Sequence, residues 1–163
     1  MDRYVEKNRV VVTGIGIITP IGIGVDAFWE SAIHGKSGIS MISRFNVESY
    51  PTKIAGEIKS FHPEKYMPGD LADALCRYSQ LGLAAAQMAV RDANLELNSL
   101  NKNKVGISIG VGAETLLYYD EKTAIENNKY TLRTKPPVEN RNIANVISDY
   151  FHFSGQNLVV ATA

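Results

Sequence analysis

The segment Leu158-Val159-Val160-Ala161-Thr162-Ala163 is apolar, rich in β-branched residues and free of turn residues. Such a run reads as a buried strand, because a strand covered on both faces carries apolar side chains without alternation. Two other runs share the pattern: Val10-Val11-Val12-Thr13, which leads into Gly14, and Val105-Gly106-Ile107-Ser108-Ile109-Gly110. Helical patterns lie between them. Asp26 is placed to cap a short helix carrying Phe28, Trp29, Ala32 and Ile33, ended by Gly35. From Asp70 or a neighbour to about Ala93, the positions Leu71, Leu75, Tyr78, Leu81, Ala85, Met88 and Ala89 recur near a 3.6-residue period, which predicts the longest helix. Its Leu83-Ala84-Ala85-Ala86 stretch suits a helix with close neighbours on most sides. The stretch from Ser37 to Pro68 reads as short strands and loops, with Lys53 to Ile58 the clearest strand in it. A helical pattern spans Thr115 to Asn127, Pro136 and Pro137 break the chain, and Asn142 to Phe151 predicts a further helix before Gly155. Strands alternating with helices predict a parallel or mixed sheet in a layered α/β fold.

Composition narrows the function classes. A chain of 163 residues fits one domain, residues 1–163. Its formal net charge is zero, with no basic excess to neutralise phosphates, so neither nucleic acid nor an anionic membrane surface is an expected partner. No apolar stretch approaches the roughly 20 residues that span a bilayer. The polar start, Met1 to Asn8, does not read as a signal peptide, and a single cysteine makes no internal disulfide framework. These features predict a cytoplasmic protein.

Local motifs are incomplete. Gly14-Ile15-Gly16-Ile17-Ile18-Thr19 starts like a dinucleotide fingerprint, but Thr19 stands where the third glycine belongs and Pro20 follows. Gly35-Lys36-Ser37 ends like a phosphate loop, but Glu30 occupies the position of the leading glycine. Cys76 falls inside the predicted long helix, where a buried thiol behaves as a small hydrophobe. His34, His62 and His152 have no metal-ligand spacing, and His34 sits at a helix end where terminal carbonyls are available. No metal site and no cofactor is predicted, and no catalytic constellation is complete within the chain.

The order of several motifs carries more than any one of them. Arg9-Val10-Val11-Val12-Thr13-Gly14-Ile15-Gly16, Thr19-Pro20-Ile21-Gly22, Phe28-Trp29, Gly35-Lys36-Ser37-Gly38-Ile39, Arg77-Tyr78-Ser79-Gln80, Val105 to Gly110, Asn145 and Ala161-Thr162-Ala163 follow one another as in the β-ketoacyl-acyl carrier protein synthases. The chain resembles the N-terminal portion of these elongating condensing enzymes. The resemblance implies a thiolase-like fold, built from two similar βαβ-rich halves, of which this chain is most of the first. It also implies an acyltransferase of fatty acid or polyketide synthesis, an acyl carrier protein as partner, and a homodimer or a heterodimer with another ketosynthase subunit. In that pattern the nucleophilic cysteine comes immediately after Ala163, and the catalytic histidines and lysine lie further on. No catalytic residue is therefore expected within the segment, and the chain alone is expected to be inactive.

The same resemblance places substrate-pocket residues at Gly112, Ala113 and Val138, and a carrier-docking charge at Arg133. Ala113 replaces the family's channel-dividing isoleucine, and Val138 replaces an aromatic residue contributed across the dimer, so a wider or deeper acyl channel is expected. Asp70, Asp73 and Ala74 stand where the family often has Arg and Lys against an acidic carrier, which weakens docking by that surface. The connection from Asn145 to Gly155 is shorter than usual. The alternatives are a catalytically silent, chain-length-factor-type partner, an inactive structural fragment, and a nucleotide-binding α/β domain disfavoured by its broken glycine pattern. A final strand open on one side also predicts self-association or marginal stability of the isolated chain.

Overall fold

A computed structural model describes residues 9–112 and 142–161. The first elements are small. Strands β1 (Ile18–Thr19) and β2 (Gly22–Ile23) form an antiparallel hairpin with Ile18 opposite Ile23. The Thr19 hydroxyl closes it, donating to the Gly22 carbonyl at 3.0 Å and accepting the Gly22 N–H at 3.2 Å. Helix α1 (Val25–Ile33) follows, with Gly24 as its N-cap at φ 90°. The expected cap, Asp26, lies instead in the first turn. The positive φ of Gly24 swings the chain into the helix two residues too early for Asp26 to cap it. From there its carboxylate still complements the helix dipole. Strands β3 (Ile39–Met41) and β4 (Ile54–Gly56) pair antiparallel, with Ile39 opposite Gly56.

The expected long helix is two helices, α2 (Gly69–Ala74) and α3 (Arg77–Asp92). Leu75 and Cys76 between them are extended, with ψ of 138° and 158°. The break sends Leu75 into the core, where it is 5% exposed. Carbonyls left without helical partners are recovered by one side chain, because Gln80 Nε2 donates to Ala72 O at 2.7 Å and Leu75 O at 3.1 Å. Cys76 is therefore not an interior helical residue. It is the half-buried N-cap of α3, with Sγ 3.4 Å from Ser79 Oγ.

Strand β5 (Ile107–Val111), helix α4 (Ile143–Phe151) and strand β6 (Asn157–Ala161) form the parallel unit anticipated from the alternating pattern. Asn142 caps α4, its side chain accepting the Asn145 N–H at 2.9 Å. Helix α4 packs on α3 and on both strands. The core gathers there: Leu83 and Ile143 are fully buried, beside Phe61, Met67, Leu75, Ile147, Phe151 and Phe153. Each such aliphatic side chain contributes about 1.5–3 kcal/mol on burial. A methyl group on Gly82 would lie 2.8 Å from Ile143 Cγ1, so only glycine lets α3 and α4 meet this closely. After α4 the chain turns through His152 at φ 57°, and Ser148 Oγ donates to Phe153 O at 2.6 Å.

Two strand expectations need correction. Val10–Thr13 forms no ladder among the described residues, and Val10 and Val12 are 92% and 82% exposed. The backbone that this N-terminal segment meets is that of α3. A Cβ on Gly16 or Gly14 would strike Ala85 O at 1.9 Å or Ala89 O at 2.3 Å, and Ile15 N–H donates to Asp92 Oδ2 at 2.8 Å. A helix has already committed its peptide groups and offers no edge to pair with. The second correction concerns β5 and β6. Burial alternates along β5, and Leu158 and Val160 of β6 are 56% and 49% exposed. Helix α4 covers one face of the pair, and no described element covers the other. Helix α1 shows the same condition, with Trp29 63% exposed. The segments around Thr115–Asn127 and Pro136–Pro137 lie outside the described residues.

Candidate active site at the strand ends

Parallel pairing fixes which residues meet. The register runs from Ile107 opposite Asn157 to Val111 opposite Ala161, so both strands finish together and Gly112 leaves β5 beside the end of β6. In α/β sheets, ligands bind at the carboxyl ends of parallel strands, where loops diverge and leave a crevice. The glycines here fall into two kinds. At the amino ends of the strands, a Cβ on Gly155 would lie 2.4 Å from Val105 O and one on Gly106 would lie 2.7 Å from Gln156 O. Those glycines serve internal packing. At the carboxyl ends, a Cβ on Gly110 or Gly112 meets no described atom within 4 Å. No described neighbour accounts for their bareness.

Of the residues singled out in the sequence, Gly112 is at this edge and is exposed. Ala113, Arg133 and Val138 lie outside the described residues. Asp70, Asp73 and Ala74 are exposed on α2. The histidines occupy structural positions. His34 Nδ1 is 2.8 Å from the Glu30 carbonyl in the last turn of α1, as its place at a helix end suggested. His62 Nδ1 is 3.2 Å from Glu64 Oε1, and His152 ends α4. Among the described residues no three His, Cys, Asp or Glu side chains come together as a metal site. No described helix is long and apolar enough to cross a membrane.

Sequence reading missed a polar knot centred on Glu57. Its carboxylate accepts the Ser43 N–H at 3.0 Å, the Ser43 hydroxyl at 2.8 Å and the Arg44 N–H at 3.2 Å. Desolvation pushes this carboxyl up, but the bonds from the Ser43 hydroxyl and the Ser43 and Arg44 amides, with the nearby Lys59 charge, outweigh it and hold its pKa below the usual 4.5. The knot ties the loop after β3 to the end of β4.

A layered α/β unit whose parallel strands end together at a bare glycine edge defines a class of fold that carries its chemistry there. Within that class the assignment is specific. The chain matches the family described as Beta-ketoacyl synthase, N-terminal domain, over residues 7–163, and it belongs to that family. It is 34% identical to the 3-oxoacyl-[acyl-carrier-protein] synthase 2 of Synechocystis sp. (strain PCC 6803) over 88% of its own length and 34% of the relative's. It is 35% identical to the synthase of the same name from Coxiella burnetii over 81% of this chain and 30% of that one. The chain thus spans about a third of the length of these curated relatives. Among solved structures, the ishigamide ketosynthase/chain length factor aligns with a TM-score of 0.72 and 26% identity, covering 93% of this chain and 39% of that one. A type II polyketide synthase ketosynthase in complex with its acyl-carrier protein aligns with a TM-score of 0.62 and 25% identity, covering 90% and 40%. The fold is the thiolase-like α/β fold of the ketosynthases, as the sequence motifs implied.

Proposed function

We propose that residues 1–163 form one N-terminal ketosynthase domain of a 3-oxoacyl-[acyl-carrier-protein] synthase in fatty acid or polyketide synthesis. The reaction is a decarboxylative Claisen condensation. An acyl group passes from its carrier thioester to a cysteine thiolate. Malonyl-carrier then loses carbon dioxide, and the electron pair of the broken carbon–carbon bond attacks the acyl carbonyl. A new carbon–carbon bond forms and the cysteine thiolate leaves. The nucleophile, the histidines that polarise the malonyl thioester and the lysine belong to the part of the family pattern beyond Ala163. Its own contribution is to build the wall of the acyl pocket at Gly112, Ala113 and Val138, wider than usual because two of these side chains are small. Arg133 is the docking charge for an acidic acyl carrier protein, while Asp70 and Asp73 oppose that carrier on α2. The protein works in the cytoplasm without a cofactor, as a homodimer or paired with a second ketosynthase subunit.

The observation that supports this reading is the joint termination of β5 and β6 beside Gly112 in a chain of this family. A chimera tests it: residues 1–163 replace the matching part of the Synechocystis relative, and condensation is followed by intact mass of the carrier-bound product. The expected result is 3-oxoacyl-carrier, with longer or bulkier acyl groups tolerated than in the parent. A folded chimera that forms none overturns the reading. The ishigamide neighbour favours one second reading, a silent chain-length-factor-type subunit. That reading predicts that the whole protein takes up no acyl group of its own yet alters the product length of an active ketosynthase subunit.

A further inference from the structure

The break between α2 and α3 falls where the local sequence asks for none. Leu71, Leu75 and Tyr78 keep one apolar period across it, and the stretch from Asp70 to Leu81 contains neither glycine nor proline. A helix running straight from Gly69 to Asp92 would bond the Cys76 N–H to the Ala72 carbonyl and the Ser79 N–H to the Leu75 carbonyl. In the structure Gln80 Nε2 holds both of these carbonyls, at 2.7 Å and 3.1 Å. One side chain thus occupies the acceptors that a continuous helix needs. The second hold on the broken form is apolar. Ala72 and Leu75 are each 5% exposed, and Leu75 lies in the core with Phe61 and Met67. The opposing contributions are of the same order. A straight helix gains backbone hydrogen bonds, and it gives up the burial of one leucine and the two bonds from Gln80.

We propose that Leu75 and Cys76 form a two-position joint and that Gln80 is its latch. With Gln80 on the Ala72 and Leu75 carbonyls, α2 folds against the core. With those carbonyls released, α2 continues the axis of α3 and Leu75 leaves the core. Asp70 and Asp73, exposed on α2, travel with it, so the charge presented on this face differs between the two positions. Proline distinguishes the positions, because its ring fits only one of them. Cys76 has φ −68° and ψ 158°, within proline's own range. Leu75 has ψ 138°, the extended backbone that a residue before proline requires. In the straight helix a proline ring at position 76 would lose the N–H bond and strike the Ala72 carbonyl. The joint shares no residue with the strand-end edge and does not rest on the condensing activity.

The test is NMR relaxation dispersion on the isotope-labelled 163-residue chain, which reads exchange on the microsecond-to-millisecond scale of helix motions. Dispersion is expected at the amides of Ala72 to Ser79, with Cα shifts of the minor state at Leu75 and Cys76 that are helical. Gln80→Leu keeps helix propensity and removes the latch. It should raise the minor population roughly tenfold, the scale of losing two ordinary hydrogen bonds. Cys76→Pro should abolish the dispersion in the wild-type background and in the Gln80→Leu background, leaving the amides of α4 unshifted. If Gln80→Leu fails to fold, wild type against Cys76→Pro decides alone. Absence of dispersion, minor-state shifts of random coil, or dispersion that survives Cys76→Pro would overturn the proposal.

Discussion

The two ends of this chain are similarly apolar and have fared differently. In the unit made by β5, α4 and β6, helix α4 lies against α3 and both strands, and nearly all its apolar side chains are buried. In the region of residues 9–41, Val10, Val12, Trp29 and Ile33 are each more than half exposed. The contrast lies in partners, not in composition. An amphipathic pattern records that a face wants cover, and only the rest of the fold decides whether cover arrives.

The largest expected effect follows from that contrast. Ile143→Ala or Leu83→Ala should destabilise the chain by about 2–5 kcal/mol in urea unfolding, whereas Trp29→Ala should stay within about 0.5 kcal/mol. Equal losses would erase the distinction between the regions. Next in size is Gly82→Val, which drives a side chain into Ile143 and should cost about 1–3 kcal/mol, read as a lower unfolding midpoint. Asn142→Ala removes the cap of α4 and should cost about 1 kcal/mol, with Asn142→Asp largely preserving stability. The smallest effect concerns the knot near β4. The folded pKa of Glu57 is depressed, so its stabilising contribution is present above the usual value of 4.5 and fades as pH falls through the folded value. Wild type and Glu57→Gln should therefore differ above about pH 5 and converge in more acidic buffer, as seen in unfolding midpoints measured against pH.

Much of the fold could be read from local pattern. The helix from Asn142 to Phe151 was visible, as were the strands at Val105–Gly110 and from Leu158 in a parallel or mixed sheet. The break between α2 and α3 was not visible, because Leu75-Cys76 contains neither glycine nor proline. It exists because Leu75 is worth more in the core than in a helical turn, and because Gln80 recovers the carbonyls. The Val10–Thr13 run, which joins no ladder among the described residues, differed for a related reason: β-branched residues announce an extended chain without naming its neighbour. The Glu57 knot left no periodic trace, since it joins loops thirteen and fourteen residues apart. The candidate site was legible only through motif order, because the groups that do chemistry in this family follow the segment.

Helix α3 is confined on two flanks. Ile143 fills the notch at Gly82, and the peptide groups of Gly14 and Gly16 sit against the backbone at Ala89 and Ala85. Rotation about its own axis would drive a methyl group into one wall or the other. Close backbone approach on both flanks leaves α3 little room to turn without disturbing α4 or the Gly14–Gly16 segment.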